Sequence, residues 1–245
     1  EGDIKLNGFK QDIEFKNVFF SYLEKKTLKN ASFKILSGKK NAIIGPSGSG
    51  KSTILNLISK LILLNKGKIT IDKNNYNSIE SNSLRDLISY CPQETIIFSD
   101  KISEFISYGK NKIDLEKIKK LIKMTSCDTF INIEDDKFME LNPENFSVGQ
   151  RKRLDICRAI YQEKPILILD EPNANLDENT QKIINKILIT LNKNFNKTII
   201  TIEHKLADIK DYDHIIVVNN GSIEIEGKYS DIINKSNWLS ETINI

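Results

Sequence analysis

The run Gly45-Pro46-Ser47-Gly48-Ser49-Gly50-Lys51-Ser52-Thr53 constrains this chain more than any other feature. It fits a G-x-x-x-x-G-K-[ST] pattern, and it sits between a strand-like segment, Asn41 to Ile44, and a helical pattern from Lys51 to about Leu63. Glycines let the backbone turn sharply, so that successive N–H groups point inward at an anion. The helix that follows presents its positive end to the same place. The expected ligand is therefore a phosphate chain, with Lys51 reaching the β- and γ-phosphates and the Ser52 hydroxyl holding Mg²⁺. The strand-to-helix context separates this loop from a mere Gly/Ser turn capping a helix.

Around that loop the pattern alternates between strands and helices. Ile13 to Val18, Ser32 to Leu36 and Lys68 to Asp72 read as strands, and Ser83 to Ile88 as a short helix. From about Glu94 to Ile160 the chain changes character. Ile102–Tyr108, Asp114–Lys123 and Arg151–Tyr161 all carry helical periodicity, as an insertion would. Pro165 to Leu169 is continuously apolar, as a strand buried on both faces of a parallel sheet should be. Thr198 to Ile202 repeats that pattern after a helix over Gln181 to Leu191, and two strands flank the turn Asn219-Asn220-Gly221. The fold class implied is α/β, with helices on both faces of a sheet.

Composition excludes more than it suggests. A net charge of +3 does not call for nucleic acid, and the lysines between Lys110 and Lys123 alternate with Ile and Leu as on a solvated helix face. No run of about 18 apolar residues is present, so this segment does not itself insert into a membrane. The three cysteines, Cys91, Cys127 and Cys157, stand apart from one another and from histidine, which fits a reducing compartment.

The apolar strand Ile166 to Leu169 ends in Asp170-Glu171, where a parallel sheet gathers its ligands. Asp170 is placed to bind Mg²⁺ and Glu171 to act on an attacking water. Just upstream, Phe146-Ser147-Val148-Gly149-Gln150 resembles the signature of ATP-binding-cassette (ABC) proteins. The remaining family motifs follow in order: Tyr22 for adenine stacking, Gln93 of the Q-loop, Ala174-Asn175-Leu176-Asp177 of the D-loop, and the switch histidine His204 before Lys205-Leu206. The chain is thus identified as resembling the nucleotide-binding domain of an ABC transporter. The phrase Pro92 to Asp100 and Ile106-Ser107-Tyr108-Gly109 are most similar to subfamily B exporters of the mitochondrial and heavy-metal-tolerance half-transporter type.

The resemblance implies a single cassette over residues 1–245, a P-loop NTPase with a mixed or parallel sheet core. It also implies an N-terminal antiparallel β subdomain and a helical subdomain inserted over about residues 94–160. It implies a Mg-dependent ATPase with ATP and Mg²⁺ as cofactors, working as an ATP-dependent dimer with a second cassette to power a membrane exporter. Glu171, His204, Lys51 and Gln93 would be catalytic. ATP would lie on Tyr22, Gly45, Ser47, Gly48, Ser49, Gly50, Lys51, Ser52 and Thr53, covered in trans by Ser147, Gly149 and Gln150 of the partner. Ser52, Gln93 and Asp170 would hold the metal. The implied partners are a second cassette and the transmembrane domains of a transporter. The cassette would lie on the cytosolic side or in a reducing organelle matrix.

Three departures stand against the family pattern. In the signature Val148 replaces the first glycine and Phe146 the leucine, and the valine carries a cost if the backbone there needs positive φ. Met139 to Glu144 replaces a Gly-Glu-Arg-Gly-like stretch, leaving Glu140 or Glu144 to stand in, and Asn175 is unusual in the D-loop. The competing expectation is a degenerate or soluble cassette that binds ATP in a regulatory or assembly role.

Overall fold

A computed structural model of the chain describes residues 2–204, 209–236 and 238–240. Strands β1 (Ile13–Tyr22), β2 (Lys25–Ile35), β4 (Lys66–Ile71) and β5 (Asn74–Asn75) form an antiparallel sheet in the order β2-β1-β4-β5. Ile13, Phe15, Val18 and Phe20 of β1 all face inward. The alternation resets between Phe15 and Val18, where the register shifts and Asn17 takes a φ of 49°.

The second sheet runs β10-β9-β3-β8-β7-β6, parallel from β9 to β6 and antiparallel only at β10. Its strands are β3 (Lys40–Ile44), β6 (Ile88–Cys91), β7 (Ile166–Leu169), β8 (Thr198–Glu203), β9 (His214–Asn219) and β10 (Ser222–Gly227). Every residue of β3, β7 and β8 is buried, and β7 reads as an unbroken apolar run for that reason.

Helix α1 (Lys51–Ile58) packs with the antiparallel sheet into one apolar cluster, through Ile54, Leu55, Leu57 and Ile58. The helical middle holds α3 (Ile102–Ser107), α4 (Leu115–Met124) and α5 (Val148–Tyr161), joined by short 3₁₀ turns. Its Phe105, Ile118, Ile122 and Leu154 share a second cluster with Leu167 and Leu169 of β7 and with Ile184 and Leu188 of α6 (Glu178–Phe195). The helices thus rest on the parallel sheet and carry the signature at the start of α5. Among the described residues, no helix is long and apolar enough to cross a membrane.

Two expectations about elements need correction. The helix after the phosphate loop stops at Ile58, not near Leu63. Lys60 takes a left-handed φ of 54° and closes a Schellman-type cap, with Lys60 N–H donating to Leu57 O and Leu61 N–H to Asn56 O. The lysine holds this strained place because its Nζ reaches Ile79 O and lies 5.2 Å from the Tyr76 ring centroid. Ser83 to Ile88 is likewise not one helix. Helix α2 covers Ser81–Arg85, and Ile88 already opens β6, pairing with Ile166.

Candidate active site

Strand β3 delivers the chain into the glycine loop and α1 carries it away. Gly45, Gly48 and Gly50 take φ values of 146°, 75° and 108°, conformations that other residues adopt only with strain. Lys51 Nζ donates to Gly45 O and Pro46 O, both at 2.9 Å, so the ammonium lies over its own loop. Burial lowers the Lys51 pKa, while the charges of Glu171 and Asp170 oppose that shift. The loop opens on a cleft of about 270 Å³. Tyr22, Ser47, Gly48, Gly50, Lys51, Ser52 and Thr53 line it, together with Glu171 and His204. Gly45 and Ser49 are buried beneath, with Gly221 N–H donating to Ser49 O at 3.1 Å.

At the mouth of this cleft three side chains from separate parts of the chain meet. Glu171 leaves β7 with a left-handed φ of 46°. Its Oε1 lies 2.6 Å from His204 Nε2, and its Oε2 accepts from Gln93 Nε2 at 2.7 Å. Lys205 and Leu206, which complete the His204 motif, lie outside the described residues. Asp170 lies beside this group and accepts from Tyr90 Oη at 3.3 Å. Burial raises the Asp170 pKa, and the adjacent Glu171 charge raises it further, against the pull of Tyr90, Lys152 and Lys51. Asp170, with its raised pKa, and the adjacent Glu171 carboxylate form a donor set that a divalent cation would suit. Among the described residues no three His, Cys, Asp or Glu could enclose a metal by themselves.

The signature lies apart from this cleft. Ser147 is the N-cap of α5 and makes a capping box with Gln150: Gln150 N–H donates to Ser147 Oγ at 3.3 Å, and Ser147 N–H to Gln150 Oε1 at 2.9 Å. Val148 is the first helical residue and is absent from the positive-φ positions, so the feared backbone cost does not arise. Gly149 is also helical. A Cβ there would come within 3.0 Å of Thr180 Cγ2, so this glycine packs closely against the side chain of Thr180 in α6. In the D-loop, Asn175 takes a φ of 57° and Asp177 caps α6 by accepting from Thr180 N–H at 3.0 Å. Glu140 pairs with Lys101 at 2.6 Å, and Glu144 O accepts from Arg151 Nη1 at 3.2 Å.

Several contributors were not singled out by sequence reasoning. Lys152, buried within α5, donates to Pro92 O at 2.6 Å and Gln93 O at 3.1 Å, and so pins the backbone of the Q-loop. Tyr90 orients Asp170, and Lys25, Lys26 and Thr27 complete the rim of the cleft. The lysines had a signal in their position three and four residues after Tyr22; Lys152 had none, since its partners lie about 60 residues away.

Comparison with known proteins agrees with this geometry. The ABC transporter family matches residues 28–174. The chain is 39% identical over 231 residues to an ATP-dependent lipid A-core flippase of Desulfotalea psychrophila, across 93% of this chain and 40% of that protein. It is 37% identical over 228 residues to the mitochondrial iron-sulfur clusters transporter ATM1 of Candida albicans, across 91% of this chain and 30% of that protein. Among solved structures it is similar to a bacterial Atm1-family ABC exporter with ATP bound, at a TM-score of 0.89 and 28% identity, over 98% of this chain and 42% of the other. The chain therefore spans less than half the length of these relatives. It belongs to the ABC transporter family, as an ATP-binding and ATP-hydrolysing cassette of the subfamily B exporter type.

Proposed function

We propose that residues 1–245 act as one cassette that hydrolyses Mg-ATP in a site shared with a second cassette, and that this reaction powers a membrane exporter. The observation that carries the reading is the meeting of Gln93, Glu171 and His204 at the mouth of the glycine-loop cleft. Tyr22, 43% exposed at the rim, offers a ring face to adenine. The loop N–H groups and Lys51 bind the phosphates, and Glu171 orients or deprotonates the attacking water while His204 contacts the γ-phosphate. Ser52, Asp170 and Gln93 would hold Mg²⁺, which when bound supplies neutralisation of the phosphate charge.

Ser147, Gly149 and Gln150 do not line the cleft of their own chain. Their place at the positive end of α5 supports the reading that they cover the nucleotide of the partner. The helical backbone at Val148 favours an active cassette over a degenerate one, because it removes the cost that made the substitution suspect. The two relatives are named for different cargoes, so the proposal stops at export. In this reading the cassette works on the cytosolic or matrix side of a membrane, attached to the transmembrane domains of a transporter.

Binding of Mg-ATP to the parent and to Lys51→Ala tests the reading. The variant is expected to lose tight binding while keeping its fold. Equal affinity in the two would show that the phosphates lie elsewhere.

A further inference from the structure

The residue before the switch histidine is a buried carboxylate. Glu203 ends β8 and is 2% exposed. Neighbouring positions of an extended chain point to opposite sides, so His204 faces the cleft while Glu203 turns into the interior. Tyr212 Oη donates to Glu203 Oε1 at 3.0 Å and itself accepts from Thr201 Oγ1 at 2.9 Å. Asn173 Nδ2 donates to Glu203 Oε2 at 3.5 Å and also to Asn185 Oδ1 at 3.2 Å. Lys40, with its Nζ 4.4 Å from the Tyr212 ring centroid, brings positive charge to the same interior region. A buried carboxylate is costly unless it is well paired. An aliphatic residue would finish the apolar strand Thr198–Ile202 at no such cost, so the charge calls for a reason.

The connectivity supplies one. Asn173 follows Glu171 by two positions, and Glu203 precedes His204 by one. The Asn173–Glu203 contact therefore joins the same two chain segments as the 2.6 Å contact between Glu171 and His204, from the opposite side. Asn173 is itself fixed, since its carbonyl accepts from Gln181 Nε2 at 3.1 Å and its residue is 4% exposed. The turn between, closed by Ala174 N–H donating to Glu171 O at 3.2 Å, holds Glu171 in its left-handed conformation.

We propose that Glu203 and Asn173 form a buried clamp that sets the separation of Glu171 and His204, making Glu203 a positioning residue for ATP hydrolysis. The proposal rests on the roles given to Glu171 and His204 above. Because the clamp touches neither the glycine loop nor Tyr22, its loss acts on turnover and spares nucleotide binding.

Steady-state ATP hydrolysis by Glu203→Gln, by His204→Ala and by the double variant tests it. Glu203→Gln leaves a single acceptor oxygen for the two donors Tyr212 Oη and Asn173 Nδ2 and sets an NH₂ against one of them, and its kcat is expected to fall about 10- to 100-fold, as for a small misplacement of reacting groups. KM for ATP stays within about twofold, since the binding groups are untouched. In the His204→Ala background the same substitution adds little, because a clamp acts through the residue it places. A parent-like kcat in Glu203→Gln, or a loss that adds in full to that of His204→Ala, overturns the clamp. Parent-like turnover in His204→Ala alone overturns the role of His204 and the clamp with it. If Glu203→Gln does not fold, Asn173→Ala breaks the same contact without touching the charge. The same loss in kcat at constant KM is expected there, and its absence overturns the proposal.

Discussion

Glycine serves the glycine loop and the signature for different physical reasons. In the loop the reason is backbone conformation and backbone crowding. Gly45 has a φ of 146°, and a Cβ there would lie 1.9 Å from Val218 O in the neighbouring strand. In the signature the backbone is an ordinary helix, and the nearest atoms to the Cβ of a substituted Gly149 belong to the side chain of Thr180. The sheet cannot yield at Gly45, whereas a side chain can yield at Gly149. One position earlier, Val148 is 57% exposed and meets no such limit. The same motif letter thus marks a rigid demand in one region and a negotiable one in the other.

Substitutions can break or sharpen that contrast. The largest effect is expected for Gly45→Ala, where overpacking and left-side backbone strain together destabilise the fold by about 3 kcal/mol or more. Chemical denaturation reads the loss, and nucleotide binding is expected to go with it. A stable, ATP-binding Gly45→Ala variant would erase the difference between the two regions.

Gly149→Ala comes next, with a stability loss of about 1 kcal/mol, the contact with Thr180 outweighing the gain in helix propensity. Because the nearest atom is the Thr180 methyl, Thr180→Ser should remove most of that penalty while keeping the hydroxyl bond to Asp177. Denaturation of the double variant checks this, and an undiminished penalty would mean that the glycine is needed for another reason. The affinity of a single chain for ATP is expected to stay unchanged in both variants.

The smallest effect belongs to Val148→Gly, which restores the usual signature. Removing an exposed side chain from the first turn costs at most about 0.5–1 kcal/mol, the ordinary penalty of glycine in a helix. A large gain in turnover from this change would show that the valine does hinder the site, and would revive the degenerate-cassette reading.

Much of the fold was legible because burial and pattern agree in the central strands. Pro165 to Leu169 and Thr198 to Ile202 lie in the middle of a parallel sheet, where burial on both faces favours isoleucine, leucine and threonine. Legibility failed where a tertiary contact decided the local conformation. Lys60 ends α1 in the place of a glycine because Tyr76 and Ile79 O hold its side chain, while Leu61 and Leu63 beyond it continue an apolar pattern although largely exposed. β6 was hidden because its four residues include Ser89 and Tyr90, whose hydroxyls are paired with Ala159 O and Asp170. In the site, residue types in motif order pointed to one cleft, and Tyr22, Lys51, Glu171 and His204 do line one. The supports of that cleft were not legible, since Lys152, Tyr90 and Glu203 act on partners 60, 80 and 30 residues away.

The central claim is that Glu171, held between Gln93 and His204, acts on the water that attacks ATP. Steady-state turnover of Glu171→Gln at saturating Mg-ATP tests it most directly, because the variant keeps the shape and a hydrogen-bonding carbonyl but loses the base. Turnover is expected to fall about 100-fold or more while ATP binding persists. A Glu171→Gln chain that hydrolyses ATP at the parent rate would contradict the claim.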